Sequence, residues 1–411
     1  MPSHPTPRPL DGVRVVEFGQ FIAGPGATQV LADLGADVVK IESPNGDNGR
    51  RFGANAATQG RSGLFVAYNR GKRSVVLDMR RPEGLALAKK LALQADVVLQ
   101  NLRPGTVETL GLDAASLRRE KPSLIHVSVS GFGLQGPSRQ RPGLDIAGQA
   151  ESGMMSITGE RGGTPLKAGF AVADVSTANA AAQAILAAFI QRLRTGEGAT
   201  IETSLLAAGV AMQAQLWGEY QYSGKQPARS GNAQPLVAPA ADLIEVQDGH
   251  IVLSAYIDDH WRRLCKAIGQ PALAEDPRFA SNAGRVANRA EIIAVVQQAL
   301  GPLTGEAARE LLERHSVVVG VVRSYAQVLA SEDVRASGVF QAAQDERGDQ
   351  YMLPGLPYRF HDQPLQNSAP PRSPALGEHT DEVLAQAGLA PQEIEQLRAC
   401  GAIGLAEPAH A

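Results

Sequence analysis

The residues best placed for chemistry lie in "PLKAGFAVADVSTANAAAQAILAAFIQRL", where Asp174 is a lone carboxylate among small and apolar neighbours, just ahead of an alanine-rich run. An Asp followed by Ser and Thr before an apolar-periodic segment is a standard helix start, its oxygens accepting orphan backbone N–H groups. The same carboxylate, with few polar neighbours, is also suited to attack an acyl group and carry it covalently. Position alone leaves both readings open.

Gly24 and Gly26 in "EFGQFIAGPGATQVLADLG" permit close backbone approach ahead of a helix N-terminus that would draw anions, and tight strand–helix packing explains them equally well. Cations recur near strand ends: Lys72, Arg73, Arg80, Arg81, Arg103, Arg139 and Arg141. Ligands of open α/β sheets sit beyond the carboxyl ends of the strands, so these side chains are candidates for phosphates, with solvated loops as the ordinary alternative. The "GFGLQG" at 131–136 has the G-x-G-x-x-G spacing. The "PSRQRPG" that follows cannot open the helix a dinucleotide fingerprint needs, so a turn is expected. No G-x-S-x-G elbow, H-E-x-x-H pair or Walker loop occurs, which leaves hydrolase, metalloprotease and kinase readings without support. His126 falls in a strand pattern and reads as packed; His260 and His379 sit at helix starts.

Positioning such residues requires a scaffold. Residues 13–130 alternate β-branched runs ("VRVVEF", "DVVKIE", "RSVVLDM", "ADVVLQN", "LIHVSVS") with helical patterns, the signature of βαβ units on a mostly parallel sheet. Two long helices are expected across 176–223, each closed by a glycine. The segment "KQPARSGNAQPLVAPA" reads as a linker or active-site loop, followed by a smaller mixed unit to about residue 325 and an ordered helical tail. At 411 residues the chain exceeds the size at which one core stops growing. A net charge of -3 supplies no basic field for nucleic acid, and Cys265 and Cys400 fit neither a disulfide framework nor a metal site. The start "MPSHPTPRPL" lacks the pattern of a signal peptide, and no run of about 18 apolar residues stands out, so a soluble cytoplasmic protein without membrane contact is expected.

Taken in order, "LDGVRVVEFGQFIAGPGATQVLADLGADVVKIESPNGD", "NRGKRSVVLDMRRPEG", "ADVVLQNLRPGTVETLGL", "PGLDIAGQAESGMMSITGE", "AGFAVADVSTA" and "LGEHTDEVLAQAGL" resemble the family III CoA-transferases, which include formyl-CoA and carnitine CoA-transferases and the related α-methylacyl-CoA racemases. The resemblance covers nearly the whole chain. It implies an α/β fold with a large Rossmann-like domain at 1–225, a smaller domain at 226–325 and a segment at 326–411 returning to the first. An interlocked homodimer is implied as well. By matching position Asp174 is the nucleophile, passing through aspartyl anhydrides and an aspartyl-CoA thioester. The CoA contacts would be Ile22, Ala23, Leu77, Asp78, Met79, Arg80, Asn101, Leu102, Arg103, Leu144 and Asp145, with Arg80 and Arg103 as phosphate partners. Coenzyme A enters as substrate, and no tightly bound cofactor or metal is implied.

Three departures narrow the reading. The racemases carry a histidine where this chain has Leu144, and returning a proton to the opposite face of an α-carbon needs two positioned groups. The formyl-CoA enzymes carry a glycine run where this chain has "SGNAQPLVAPAAD", and they offer arginines to CoA where it has Ser43 and Thr109. The expectation is therefore transfer of CoA from a donor such as succinyl-CoA to a small, dicarboxylic acid, with Arg229 a candidate anchor for the second carboxylate. An acyl-CoA racemase and a non-catalytic CoA-binding protein are the alternatives.

Overall fold

The β-branched runs become strands buried on both faces, as a parallel sheet requires. The computed structural model describes residues 8–234, 239–361 and 370–404. These form two compact units, one of residues up to Met154, Lys167–Gln221 and those from Ser337 onward, the other of Met155–Leu166 and Tyr222–Ala336.

The first unit runs β1 (Arg14–Phe18), α1 (Ala23–Asp33), β2 (Asp37–Glu42), α2 (Gly63–Tyr68), β3 (Arg73–Val76), α3 (Pro82–Gln94), β4 (Val97–Gln100), α4 (Thr106–Thr109), α5 (Ala114–Glu120), β5 (Ile125–Ser130) and α6 (Asp145–Glu151). After the single turn α7 (Met154–Ile157), all but its first residue in the second unit, come α8 (Val172–Thr195), β6 (Thr200–Ser204) and α9 (Leu205–Ala211). The six strands lie in the order β3-β2-β1-β4-β5-β6, every neighbouring pair parallel. Successive residues alternate between two cores: Val16, Val39 and Val98 enter one with Leu87 and Leu91 of α3, Val15, Val38 and Val97 the other with Ala27 and Leu31 of α1. Strand order reverses between β1 and β4, the switch point beyond whose carboxyl ends ligands of doubly wound sheets sit.

The same unit is completed from far along the chain. Val383, Leu384, Ile394 and Ile403 enter the core that holds Val75 and Leu77. The backbone is stitched there by His379 N–H to the Ser74 carbonyl at 3.0 Å and Asp78 N–H to the Ala402 carbonyl at 2.9 Å. The second unit has its own antiparallel sheet, β7 (Asp242–Val246), β8 (Gly249–Ser254) and β9 (Val318–Val321), with Trp261, Phe279, Ile292 and Leu312 in its core.

Three local expectations are corrected. The helix bearing Asp174 begins at Val172 instead of Ser176, because its first amides are satisfied from outside the helix. The second long helix is broken into α9 and Ala214–Ser223, where Gln213 donates to the Ser152 and Gly209 carbonyls at 2.9 and 2.8 Å. By length and composition α8 is long and apolar enough to cross a membrane. Its apolarity comes largely from alanine, and Ala173, Ala178, Ala181 and Ile185 are spent on packing beside α1 and the sheet. Residues 1–7 of the expected N-terminal tail and 235–238 of the expected linker lie outside the described residues.

Candidate active site

The loop between β1 and α1 begins the site. Its shape is set by charges beneath it: Glu17 accepts from Lys40 and from Lys72, both at 2.7 Å, and from Thr28, with all three ionised side chains fully buried. The two ammonium groups also donate to the Gly19 carbonyl at 2.7 Å and the Pro25 carbonyl at 2.9 Å, tying down both ends of the turn. Lys40 further pairs with Asp47 at 2.9 Å, whose other oxygen accepts the Phe21 amide at 3.3 Å. Phe21 itself stands at φ +61°, a conformation that bulky residues hold only when their surroundings over-determine it. Burial opposes the ionised form of Glu17, but Lys40 and Lys72 outweigh it and hold the carboxyl down at about 2.

Across the switch point, Asn101 closes the second wall. Its Oδ1 accepts the Gln20 amide and its Nδ2 donates to the Gln20 carbonyl, each at 2.8 Å, so the loops after β1 and β4 are joined edge to edge. A methyl group at Gly24 would lie 3.1 Å from the Asn101 side chain, which explains that glycine. Gly26 allows α1 and α8 to touch: a Cβ there would stand 2.9 Å from the Ala178 Cβ and 3.5 Å from the Tyr68 ring. Ala178 lies one turn beyond Asp174, so the close approach fixes the depth of the nucleophile candidate.

Asp174 occupies the third position of α8 and is largely buried. Ala171, at the cap, makes no capping bond. Asp145, the first residue of α6, supplies it instead: its Oδ1 accepts the Ala173 amide at 2.8 Å and the Asp174 amide at 3.2 Å. Its Oδ2 accepts the Gln149 side chain at 2.6 Å, and Gln149 in turn accepts the Ala168 amide at 2.8 Å. The expectation that Asp174 caps its own helix is thus replaced by a cap from another helix. Burial, with the Asp145 charge second, raises the Asp174 carboxyl to about 7. Burial and then the charge of Asp174 push the Tyr68 hydroxyl above its usual range.

The other sequence candidates are placed as follows. Ile22 is the cap and Ala23 the first residue of α1. Leu77 to Arg80 leave the carboxyl end of β3, where the Leu77 side chain is fully buried in the core and Met79 packs on it. Asp78 receives Arg80 through Nε at 2.8 Å and Nη2 at 3.0 Å, which holds its carboxyl below the usual range. Arg80 and Arg103 are exposed, Leu102 borders the core, and Leu144 is 62% exposed at the cap of α6. Of the remaining cations, Lys72 is fully buried on Glu17, which removes it as a phosphate ligand, while Arg73 pairs with Asp37 and Glu382 and Arg141 with Glu151, as Arg80 does with Asp78. Ser43 is exposed and the Thr109 hydroxyl bonds the Gly105 carbonyl at 2.9 Å, so neither position offers a cation. Arg229, in the second unit, donates to the Ser156 and Gly163 carbonyls at 3.1 and 2.8 Å. His126 is buried with Nε2 3.0 Å from the Leu112 carbonyl. The glycines of "GFGLQG" serve packing: Gly131 and Gly143 are so close that a Cβ on the first would meet the second's Cα at 2.6 Å, which brings the end of β5 against the start of α6. Among the described residues no group of three or more His, Cys, Asp and Glu is arranged to hold a metal ion.

Sequence reading missed Gln149, Tyr68 and the Gln20–Asn101 pair. Only Gln149 had a signal, four residues after Asp145 on one helix face.

A doubly wound parallel sheet thus carries, in the first turn of α8, a largely buried carboxyl that burial raises to about 7. The family model for CoA-transferase family III matches residues 10–380, and the chain belongs to that family. It is 39% identical to the succinate–glutarate CoA-transferase of Agrobacterium fabrum over 92% of this chain and 95% of that protein. It is 35% identical to the succinyl-CoA–D-citramalate CoA-transferase of Chloroflexus aurantiacus over 97% of this chain and 99% of that protein. Among solved structures it resembles a CAIB/BAIF family protein from Brucella suis, with a TM-score of 0.83 and 37% identity, covering 93% of this chain and all of that one.

Proposed function

We propose that this CoA-transferase moves CoA from succinyl-CoA to another short dicarboxylic acid, with Asp174 as the nucleophile. The observation that carries the reading is the Asp174 carboxyl itself, largely buried in the first turn of α8 and raised to about 7. A carboxylate of that basicity attacks a thioester more readily than an ordinary one, and its burial keeps water from the acyl-enzyme that results. The names of the relatives, which pair succinate or succinyl-CoA with a dicarboxylic acid, support the substrate class.

In this scheme an Asp174 oxygen adds to the thioester carbonyl and the C–S bond breaks, leaving a mixed anhydride and CoA thiolate. The thiolate attacks the aspartyl carbonyl of the anhydride, expelling succinate and forming the aspartyl-CoA thioester. The acceptor carboxylate repeats the first exchange, releasing thiolate. The thiolate then takes the acceptor's acyl carbon and returns Asp174 as carboxylate. No proton is consumed. Ile22, Ala23, Asn101 and Leu102 line the proposed CoA path, with Arg80 and Arg103 as its phosphate partners.

Incubation with succinyl-CoA, borohydride quenching and peptide mass spectrometry should place the modification on Asp174. Asp174→Ala should remove it and lower transfer by about 10³-fold or more while CoA still binds. An unmodified Asp174 together with solvent deuterium entering the α-carbon of an acyl-CoA would replace transferase by isomerase.

A further inference from the structure

Asp145 was assigned to CoA by resemblance, yet its oxygens already have partners within the protein. Oδ1 takes the Ala173 and Asp174 amides and Oδ2 takes the Gln149 side chain. Gln149 is 1% exposed and is itself held by the Ala168 amide, so the carboxylate is fixed in one rotamer. The α6 backbone comes close to this helix start because Gly148 faces Ala173, where a Cβ would leave only 3.3 Å to the Ala173 Cβ and 2.9 Å to that of Leu205. A second carboxylate therefore stands fixed beside the first turn that carries Asp174.

We propose that Asp145 is the positioning residue of the nucleophile instead of a CoA contact: its carboxylate closes the first turn of α8 from another helix and stands fixed beside Asp174. The inference rests on the reading of Asp174 given above. A cap from Ser or Asn would close the turn without charge, whereas Asp closes it and keeps the neighbouring carboxylate basic. Gln149 holds the orientation.

The elements packed against α8 carry few other groups that titrate. They are Asp33 at the far end of α1, Glu151 on α6, His126 on β5 and Glu202 on β6, while α9 has none and Arg192 and Arg194 stand in the last turn of α8. Charge coupling to Asp174 comes from Asp145 and reaches the Tyr68 hydroxyl.

Asp145→Asn keeps an oxygen for the two amides and removes the charge; Asp145→Ala removes both. The side-chain carboxyl carbon of Asp174, identified by its loss in Asp174→Asn, is titrated by carbon-13 NMR in each protein, and kcat/KM with succinyl-CoA and glutarate is measured against pH. In Asp145→Asn the Asp174 midpoint should fall by about one pH unit. The acidic limb of kcat/KM should follow it, with KM for succinyl-CoA within about threefold of native. Asp145→Ala should show the same shift and a kcat lower by about 10²-fold, since the turn is loosened. An unmoved midpoint in Asp145→Asn overturns the proposal, as does an unmoved midpoint with a tenfold rise in KM, which makes Asp145 a CoA contact. A midpoint that moves while the kinetic limb does not supports the coupling and overturns Asp174 as nucleophile. If Asp145→Ala does not fold, Asp145→Asn alone decides.

Discussion

At Asp174 two demands oppose each other. As the proposed nucleophile the carboxylate must be ionised to attack, and its burial beside Asp145 resists ionisation. The sign follows from the raised value of about 7 against an ordinary 3.8. Below pH 4 the group is neutral in both folded and unfolded chains, and above about 7 it is charged in both, with the folded state bearing the cost of desolvation. Its tighter hold on the proton thus contributes stability that is lost as pH rises through about 7. Asp174→Asn should accordingly be more stable than the native chain at pH 8, by up to roughly 4 kcal/mol, and the difference should vanish near pH 4 in denaturant titrations. The native enzyme's kcat/KM should rise with pH and level off above about 7; a flat profile from pH 5 to 8 would contradict the assignment. The position of Asp174 at a helix start was legible from its neighbours, and the family resemblance supplied its chemistry. The trans cap was not, because Asp145 lies on another helix and no local spacing links the two.

Among elements, the contact of α1 with α8 decides how deep the site sits. Gly26→Ala would place a methyl 2.9 Å from the Ala178 Cβ, a contact with no flexible end to move. Overpacking of this kind costs about 1–3 kcal/mol. We expect that loss in thermal unfolding, a fall in kcat, and partial recovery of both in Gly26→Ala with Ala178→Gly, since the second change restores the room. An additive double mutant would mean that the two helices do not press on each other there. The strand runs that became β1 to β5 were legible because a sheet covered on both faces writes continuous β-branched residues. The breaking of the helix at Gln213 was not, since its cause is a side chain bonding carbonyls at Ser152 and Gly209. Likewise Lys72 reads as a phosphate ligand only until its buried partner, Glu17, is known.

On the scale of the molecule, the buried Glu17, Lys40 and Lys72 make the first unit sensitive to acid. Glu17, held down at about 2, contributes stability that is complete above about 4.5 and is lost as pH falls from there toward 2. Glu17→Gln leaves the buried Lys72 ammonium without its ion-pair partner and Lys40 with Asp47 alone, at a cost of about 3–5 kcal/mol at pH 7. The deficit should shrink as pH drops toward 2, which urea titrations at several pH values will read. The doubly wound sheet was foreseeable as a class from alternating strands and helices, whereas the crossing of Lys40 and Lys72 onto one carboxylate depends on strand order and register.

The core around β3 includes Val383, Leu384, Ile394 and Ile403, some three hundred residues downstream of the strand they cover. During synthesis the second unit, almost all of it one continuous stretch, has every residue it needs well before the first. The strands of the first unit leave the ribosome early and wait, with an apolar face open, until residues 380–403 arrive. A chain cut short of residue 380 should therefore leave the apolar face of β3 without this cover while every residue of the second unit is present.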